Sequence, residues 1–320
     1  MKCCILYNEP GPKALADELD IIEQVEYVEQ HLHQMNIETW RYGITTNFMT
    51  ELAALAEKKP ELVFNLAESI NNKGELLYFV PAILNMYSIP YTGNPLEAMF
   101  ITTSKSLTNK MLVTAGLRTP RSFQPSHAKK LKKGQKYIIK PVWEDGSMGI
   151  TAESVFTYSP EMSSKLESYA DTHWIIQEFI EGREFNISVM TGPDGPEVLP
   201  PAEMTFPNYG DDRPKIVDFK AKWMEGSFEF ENTVRRFPGK ELDEELESRL
   251  RELAIGCWHV FGLKGYARVD MRVDSENNPY VIEVNANPCI SPNGGFVAAT
   301  HEAGYKFTDV LQWIIDDKNR

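Results

Sequence analysis

The first hundred residues alternate between strand-like and helix-like patterns of hydrophobic and polar positions. Short apolar runs at residues 2–7, 38–44 and 61–66 predict strands. Apolar residues recur at helical spacing over residues 17–35 and 50–58, which lie between these runs. The order strand, helix, strand, helix, strand predicts a small parallel sheet with helices on its faces.

After residue 100 the pattern becomes that of an antiparallel region. A helix is predicted over residues 104–116, and strands over residues 136–140, 174–179, 184–190 and 197–204, with a hairpin turn at TGPDGP (191–196). An amphipathic helix is predicted over residues 241–261 and a closing helix over residues 306–316. The predicted fold class is therefore α/β followed by α+β.

Residues 265–288, GYARVDMRVDSENNPYVIEVNANP, carry the most informative pattern of the chain. Two alternating runs flank a turn-rich segment, which predicts a β-hairpin. The apolar faces of the two runs are Ala267, Val269, Met271 and Val273, then Tyr280, Ile282 and Val284. A turn that closes symmetrically between residues 276 and 277 places Asp270 opposite Glu283 and Arg268 opposite Asn285.

Two carboxylates directly opposite each other on paired strands destabilise the hairpin unless a cation neutralises them. The oxygen atoms of Asp270, Glu283 and Asn285 suit a hard divalent cation, Mg²⁺ or Mn²⁺. The alternative is a solvated polar face on which Arg268 or Arg272 supplies the counter-charge. The loop that follows the hairpin is rich in Asn, Pro and Gly, which favours the metal site.

Composition limits the classes of function. The chain has 320 residues, 42% of them hydrophobic and 25% charged, as expected for a globular protein of two or three domains. Its net charge of −13 argues against a nucleic-acid-binding surface and against a polybasic membrane anchor, but not against a local lysine cluster that binds ATP. We expect no signal peptide, and the sequence contains no run of 18 apolar residues and no metal-ligand spacing among its four cysteines. We therefore expect a cytoplasmic protein with reduced, buried thiols.

One segment could hold phosphate groups, although the sequence has no Walker A motif and no GxGxxG motif. Lys140 ends an apolar run and is followed by EDGSMG at residues 144–149. Two glycines in a short loop would let successive backbone N–H groups turn toward an anion. An ordinary surface turn is the alternative.

Two further segments could contact a nucleotide. IIQEFIEGREF at residues 175–185 predicts two strands separated by a glycine break, where backbone groups could read an adenine edge and Glu184 could accept from ribose hydroxyls. If FKAKWM at residues 219–224 is extended, Lys220 and Lys222 lie on one side of it. The alternatives are an ordinary strand–turn–strand with surface charges and a solvated lysine pair.

These motifs occur in an order that resembles the ATP-grasp superfamily and, within it, the D-alanine–D-alanine ligase family. The order is a helix containing Lys105, IIKP with its glycine loop, QEFIEGREF, FKAKW, ARVD and EVNANP. The resemblance covers residues 61–316. It implies an ATP-grasp fold with an N-terminal Rossmann-like parallel-sheet domain (1–100) and two antiparallel ATP-binding subdomains, one with the glycine loop (101–182) and one with the metal site (183–320).

The resemblance implies a role for each matched position. The positions that match ATP-binding residues are Lys105, Lys140, Gly149, Gln177, Glu178, Phe179, Ile180, Glu184 and Lys222, with Gln177 in place of an acidic residue. The positions that match ligands of two Mg²⁺ ions are Asp270, Glu283 and Asn285. The positions that match catalytic residues are Gly146, Ser147, Lys222 and Arg268, of which Arg268 would stabilise the reacting carbonyl and phosphate.

The family reaction that the resemblance implies joins a carboxyl group to an amine. ATP phosphorylates the carboxylate, the amine attacks the acylphosphate, and phosphate leaves. Because this reaction brings anions together, the site must supply positive charge, which Mg²⁺, Lys140, Lys222 and Arg268 would provide. ATP and two Mg²⁺ ions (or Mn²⁺) are therefore the implied cofactors.

The resemblance weakens at the positions that bind the first substrate. Residues 8–20 lack the family's glycine-rich turn and the glutamate that holds the first amino group. Glu18 or Asp20 could take that role. Glu68, in NLAESINNKGE, could also bind an amino group of the substrate, or it could cap a helix instead.

Other departures concern the reacting groups and the second substrate. Gly146 stands where the family has a serine, so that Ser147 remains in the loop, and Trp223 stands where a tyrosine is usual. Gly294, which follows Asn293, stands where a serine contacts the second carboxylate. A second D-alanine therefore has no obvious side-chain anchor.

The sequence thus favours an ATP-dependent ligase of amino acids or small peptides with a substrate other than two D-alanines. One alternative is a true D-alanine–D-alanine ligase with a diverged pocket. Another, of a different class, is a nucleotide-binding regulator that keeps the fold without turnover, against which the full set of lysines, arginine and carboxylates argues. The expected partners are small molecules rather than nucleic acid or membranes, and the resemblance is compatible with a homodimer formed through the N-terminal domain.

Overall fold

Three sheets follow one another along the chain, and their order confirms the predicted change from parallel to antiparallel pairing. The computed structural model describes residues 1–12, 14, 16–71, 73–144 and 146–319. The three sheets are formed by residues 2–65, 122–178 and 183–285. This succession is compatible with the domain boundaries expected from the sequence, which stay a prediction.

The first sheet is parallel, with strand order β2-β1-β3, as predicted. β1 is central because it is apolar on both sides: Cys3 faces one hydrophobic core and Cys4 faces another. α1 packs on the Cys3 side, whereas α2 and α3 pack on the Cys4 side. The elements of this region are β1 (Lys2–Asn8), α1 (Ala16–Gln34), β2 (Glu38–Ile44), α2 (Phe48–Glu57), β3 (Leu62–Asn65), α3 (Phe79–Met86) and α4 (Leu96–Thr103).

The second sheet is antiparallel, with strand order β4-β7-β5-β6. Its core face carries Tyr137, Ile139 and Ile176, so the alternation of the strands turns Lys140 and Gln177 to the opposite face. The elements are α5 (Lys105–Thr114), β4 (Ser122–Phe123), β5 (Lys136–Pro141), β6 (Val155–Thr157), α6 (Ser163–Glu167) and β7 (Trp174–Glu178). α5 begins after Ser104, whose side chain caps it, and ends before Gly116, as predicted.

The third sheet has six strands in the order β11-β10-β8-β12-β13, with β9 also paired to β8. α9 covers one face, where its leucine stripe packs against apolar residues of β8, β12 and β13. The strands are β8 (Arg183–Gly192), β9 (Gly195–Val198), β10 (Ala202–Thr205), β11 (Val234–Arg236), β12 (Tyr266–Val273) and β13 (Pro279–Asn285). The helices are α7 (Phe219–Trp223), α8 (Phe228–Glu231), α9 (Glu244–Phe261), α10 (Gly295–Glu302) and α11 (Phe307–Asp316).

The β12–β13 hairpin has the predicted register at its polar positions, but not near its turn. Asp270 pairs with Glu283, and Arg268 pairs with Asn285. Next to them Met271 pairs with Val281, so that Ile282 is the extra residue of a β-bulge. The loop therefore spans residues 274–278 and does not close between residues 276 and 277.

The bulge also changes which residues of β13 face the core. The predicted apolar face of Tyr280, Ile282 and Val284 is wrong, because Val281 and Val284 lie in the core. Tyr280 and Ile282 are only partly buried. A period of two cannot be continued across a bulge, since the extra residue shifts every side chain beyond it to the other face.

Two other predicted elements differ from the structure. The strand expected over residues 197–204 is divided into β9 and β10, because Pro200 and Pro201 lack the N–H groups that a continuous ladder needs. Residues 219–223 form the helix α7 instead of an extended segment, since Asp218 Oδ1 accepts from the Ala221 N–H at 2.9 Å as an N-cap. Lys220 is therefore exposed, whereas Lys222 is partly buried.

The remaining helices begin close to the predicted residues. α9 starts at Glu244 because Asp243 Oδ1 accepts from the Leu246 N–H at 2.9 Å. Cys3, Cys4 and Cys257 are buried free thiols, as expected, whereas the free thiol of Cys289 is only partly buried. Across the described ranges, no helix combines the length and the apolar character that crossing a membrane requires.

The bulge can be tested by stability measurements. We expect Val281→Ala to lower the free energy of unfolding by about 1.5–3 kcal/mol, because this side chain is fully buried. Ile282→Ala should cost less although it removes more atoms, because Ile282 is partly exposed. Urea unfolding of both variants measures the difference. A larger loss for Ile282→Ala would mean that the alternation continues without a bulge.

Candidate active site

Cross-strand pairing gathers the predicted site residues on one face of the third sheet. Directly paired side chains point to the same side of a sheet. The register of β8, β12 and β13 therefore places these polar residues on one face: Glu184, Asn186, Ser188, Arg268, Asp270, Arg272, Glu283 and Asn285. The other face is the apolar one that α9 covers. The polar face lies toward the second sheet, because Lys105 and Lys140 contact β13.

Asp270 is paired with an arginine of its own strand. Arg268 donates from Nε and Nη2 to the two oxygens of Asp270 at 2.7 and 2.8 Å. Asn186 Nδ2 on β8 donates to Asp270 Oδ1 at 2.8 Å. The alternative in which Arg268 supplies a counter-charge is thus correct for this carboxylate. The face is not solvated, however, since Asp270 is only 6% exposed.

Glu283 is held by a lysine from another part of the chain. Lys105 Nζ lies 2.9 Å from Glu283 Oε1 and also donates to the backbone carbonyl of Glu144. Burial alone would raise the pKa of Glu283, but the positive charges of Lys105 and Lys140 lower it to about 2. Glu283 is therefore ionised at neutral pH, which is the form that a cation needs.

The oxygen atoms of this face fit a hard cation that shares its shell with phosphate. Among the residues that the structure describes, no three His, Cys, Asp or Glu side chains form a group able to hold a metal. Asp270 and Glu283 provide two carboxylates, and Asn285 provides an amide oxygen that accepts from the Asn287 N–H at 2.9 Å. Mg²⁺ prefers six oxygen ligands and usually combines one or two carboxylates with phosphate oxygens and water.

Lysines bring an excess of positive charge to the same place. Lys140 Nζ donates to the carbonyl of Ile282 at 3.3 Å and is 6% exposed. Burial, together with the charge of Lys105, lowers the pKa of Lys140 to about 8. Burial and the charge of Arg268 also lower the pKa of Lys222. Neither Lys140 nor Lys222 forms an ion pair with a carboxylate in the described part of the chain, so an added anion would be stabilised here.

The glycine loop and α7, which lie far apart in sequence, are joined by hydrogen bonds. Trp223 Nε1 donates to the carbonyl of Gly146 at 2.9 Å, and Ser147 Oγ donates to the carbonyl of Val217 at 2.7 Å. Gly146 and Gly149 have φ angles of +63° and +72°, a region that favours glycine. Asp145, within the same loop, lies outside the described residues. The loop expected to hold phosphate groups and the lysine segment expected to contact a nucleotide therefore contact each other.

Arg272 organises the segment that was predicted to read adenine. Its Nε donates to the carbonyl of Ile180 at 2.5 Å, its Nη2 to the carbonyl of Gly182 at 3.1 Å, and its Nη1 to Glu184 Oε2 at 2.8 Å. The guanidinium carbon lies 4.8 Å from the centre of the Phe179 ring. A side chain at Gly182 would come within 2.0 Å of the carbonyl of Val273. Glycine and arginine together thus fix the turn between β7 and β8.

The predicted ribose and adenine contacts stay predictions. One oxygen of Glu184 is occupied by Arg272, and the side chain is 6% exposed, so a ribose could reach only the remaining oxygen. Gln177 is 4% exposed and donates to Ser122 Oγ at 3.2 Å, while Glu178 donates its backbone N–H to the carbonyl of Arg121. A cavity of about 720 Å³ lies beside this turn and is lined by Phe179, Gly182 and Arg272, among other residues. This volume is sufficient for a nucleotide.

The predicted amino-group ligand Glu68 lies in the loop after β3, where no helix begins, so the helix-cap alternative is wrong. Gln24 Nε2 donates to Glu68 Oε1 at 2.8 Å and to Asp20 Oδ2 at 3.1 Å. The Cys289 thiol, in the loop after β13, also donates to Asp20 Oδ2 at 3.0 Å. The carboxylates of Glu68 and Asp20 thus share the Gln24 amide as a hydrogen-bond donor. The side chain of Glu18 lies outside the described residues.

The predicted second-substrate positions form the start of α10. Gly294 is the N-cap of this helix. A Cβ at Gly294 would lie 2.9 Å from the carbonyl oxygen of Cys289 and 3.0 Å from that of Ser291, so the loop leaves no room for a side chain. The carbonyl of the neighbouring Asn293 accepts from Arg235 Nη2 at 3.0 Å.

Several contacts in this cleft were not predicted from the sequence. Asn186 was missed, and Arg272 was expected only as a possible counter-charge to the hairpin carboxylates, not as the partner of Glu184. Arg235 belongs to an Arg–Arg pair at the edge of the sheet, and a strand puts one member of such a pair on each face. That pattern would have singled out Arg235 if residues 234–236 had been assigned to a strand.

A family model of the D-ala D-ala ligase C-terminus matches residues 114–316, which is more than half of the chain. The chain belongs to the D-alanine–D-alanine ligase family. The D-alanine–D-alanine ligase of Stutzerimonas stutzeri is 29% identical over 245 residues, which cover 73% of this chain and 71% of that protein. An uncharacterised protein of Sinorhizobium fredii, y4sG, is 26% identical over 265 residues, which cover 81% of this chain and 75% of that protein.

The fold is also that of solved members of the D-alanine–D-alanine ligase family. The crystal structure of the D-alanine–D-alanine ligase from Bacillus anthracis complexed with ATP has a TM-score of 0.74 to this chain at 21% identity. The superposition covers 99% of this chain and 97% of that one. The predictions of the family, of the ATP-grasp fold and of a ligase are therefore confirmed. The roles of the individual site residues stay predictions.

In this member of the D-alanine–D-alanine ligase family, the contacts by which Arg272 holds the turn between β7 and β8 can be tested without any substrate. We expect Arg272→Met to lower the free energy of unfolding by about 3–5 kcal/mol, because it leaves the carboxylate of Glu184 buried without its partner. The double variant Arg272→Met with Glu184→Leu should recover most of that loss, since it buries no unpaired charge. Urea unfolding without nucleotide measures both. Equal losses in the two variants would mean that the ion pair is not what holds the turn.

Proposed function

We propose that this ligase uses ATP to activate the carboxyl group of one amino acid or small peptide and joins it to the amine of another. One observation carries the proposal. Two salt-bridged carboxylates, Asp270 and Glu283, face each other across a hairpin, and the lysines beside them, Lys140 and Lys222, have no carboxylate partner among the described residues. Anionic phosphates and hard cations are the groups that such an arrangement attracts.

The nucleotide would lie between the second and third sheets. Phe179 and the backbone of the β7–β8 turn border the cavity where the base would bind. Lys105 and Lys140 reach the polar face from the second-sheet side, where the phosphates would follow. The glycine loop and α7, joined by Trp223, would cover the phosphates and exclude water.

The residues present fit Mg²⁺, which Asp270, Glu283 and Asn285 would hold. When bound, Mg²⁺ supplies charge stabilisation to the phosphates during transfer. The chain's own contribution is positive charge at fixed positions. Arg268, held by Asp270 in a bidentate pair, would stabilise the oxygen that becomes negative when the amine attacks the acylphosphate.

The substrate end of the cleft favours an acceptor other than D-alanine. Gly294 replaces the serine that contacts the second carboxylate in the family, and the loop leaves no room for a side chain at this position. Asp20 and Glu68 form an acidic pair suited to an ammonium group of the first substrate. A true D-alanine–D-alanine ligase with a changed pocket is the second candidate, and the family membership favours it.

Because the reaction consumes ATP, we place the protein in the cytoplasm. A homodimer is the proposed assembly.

Phosphate release tests the reaction class. With ATP and Mg²⁺ the enzyme should release phosphate when it is offered pools of amino acids and small peptides of both D and L configuration, and mass spectrometry should detect an amide product. Glu283→Gln should abolish release, because it removes a charge that the cation requires. D-alanine alone as the dominant substrate would establish the second candidate. Tight ATP binding with no release from any pool would show a binding protein instead.

The phosphate contact of Lys140 can be tested by nucleotide binding alone. We expect Lys140→Ala to weaken ATP affinity by about 10- to 100-fold, because a buried ammonium group that hydrogen-bonds a phosphate is lost. Lys129→Ala is the matched control, since Lys129 is exposed, pairs with Glu167 and does not line the cavity beside the β7–β8 turn. Isothermal titration with ATP measures both affinities. Unchanged affinity in Lys140→Ala would contradict the assignment.

A further inference from the structure

Arg235 lies on the same face of the third sheet as the predicted catalytic residues. It pairs with Met204 on β10, Met204 pairs with Glu184 on β8, and Glu184 pairs with Arg272 on β12. Directly paired residues point to one side, so the row places Arg235 on the polar face at the edge of the sheet. The neighbouring Arg236 points to the opposite face for the same reason.

The two neighbouring arginines differ in their partners. Arg236 is neutralised, because its guanidinium donates to Glu203 at 2.7 Å and to Glu241 at 3.0 Å. Arg235 forms no ion pair with any described carboxylate, and its Nη2 donates only to a neutral carbonyl, that of Asn293, at 3.0 Å. Arg235 is exposed, so a ligand can reach it.

The guanidinium of Arg235 is held near a second positive charge. Partial burial and the nearby charge of Arg268 lower the pKa of Arg235. Two arginine side chains that approach each other repel unless an anion lies between them. Arg268 already has Asp270 as a partner, whereas Arg235 has no carboxylate partner among the described residues.

The position of Arg235 indicates which anion it would bind. Its Nη2 contacts Asn293, and its Nη1 lies 3.6 Å from the Cβ position of Gly295. This is the segment in which Gly294 cannot carry a side chain. Lys105 and Lys140 contact β13 at one edge of the sheet, whereas Arg235 lies on β11 at the opposite edge, beside the loop that contains Gly294.

We propose that Arg235 binds the carboxylate of the acceptor, so that the acceptor is an amino acid or peptide with a free carboxyl group. This inference rests on the proposed ligase function. The carboxylate of the donor is consumed when it is phosphorylated, whereas the carboxylate of the acceptor remains through the reaction and becomes the C-terminus of the product. A planar guanidinium that binds two carboxylate oxygens at once suits that persistent group. Arg235 thereby takes the place of the hydroxyl that is missing at Gly294.

The test compares free-acid acceptors with their carboxamides. Glycine, D-alanine and L-alanine are offered as acceptors beside glycinamide, D-alaninamide and L-alaninamide, with a second amino acid as the donor, and phosphate release is measured. A carboxamide cannot be phosphorylated, so it can act only as the acceptor. We expect Arg235→Gln to raise the KM of the free-acid acceptor by about 10- to 100-fold, with kcat and the KM of ATP changed much less. The same variant should leave the carboxamide reaction unchanged.

Two further variants separate charge from geometry and from stability. Arg235→Lys should recover part of the acceptor affinity, because it keeps the charge but not the planar fork. Arg236→Gln is the matched control: it removes an adjacent arginine of the same strand that faces away from the cleft, and it should leave the KM of the acceptor unchanged. Thermal unfolding of each variant verifies that the fold is intact.

The outcomes distinguish the inference from the function on which it rests. Selective loss with free-acid acceptors in Arg235→Gln supports the proposal. An active wild type in which Arg235→Gln has no effect, or affects free acids and carboxamides equally, overturns the role of Arg235 and leaves the ligase function intact. If the wild type releases no phosphate with these acceptors and also none with the amino-acid and peptide pools, the ligase function is overturned, and the acceptor site with it. A raised KM for ATP alone would assign Arg235 to the nucleotide instead.

Discussion

The charges of two carboxylates that oppose each other across β12 and β13 have to be balanced, and much of the cleft is built around that requirement. Asp270 is balanced by Arg268 from its own strand, and Glu283 by Lys105 from α5. The neighbouring contact of Lys140, on β5, with the carbonyl of Ile282, on β13, joins the second sheet to the third. The groups that prepare the site for a cation and a triphosphate therefore also hold together the two parts of the chain between which these ligands would lie.

The same constraint explains why the cleft is rich in lysine and arginine although the chain as a whole is acidic. Net charge describes the outer surface, where most charged residues are solvated. Inside the cleft, Lys140 and Lys222 lie where burial disfavours their charge. Such an arrangement is costly in the empty protein and becomes favourable when an anion arrives, which is the usual condition of a binding site.

The sequence was sufficient for those features that follow from alternation and from residue type. Alternation correctly put Asp270 on the polar face of its strand. Its pairing with Glu283 was predicted from a turn between residues 276 and 277; the actual loop differs, but the bulge at Ile282 restores the predicted pairing. The bulge at Ile282 could not be predicted, since Val281 and Ile282 are both apolar and either could belong to the core. Residues 219–223 were expected to be extended, because a short segment carries too little periodicity to separate strand from helix, and the cap at Asp218 decided the outcome. The partners of Arg235 and Arg272 depend on strands that meet only in the folded chain.

The hydrogen bonds between the glycine loop and α7 have a consequence for the rate of turnover. Trp223 and Ser147 connect two segments that would otherwise move independently. In the proposed arrangement, in which these segments cover the phosphates, both hydrogen bonds would have to break before a nucleotide could enter or leave. Opening of the two segments, rather than bond formation, would then limit the rate of turnover.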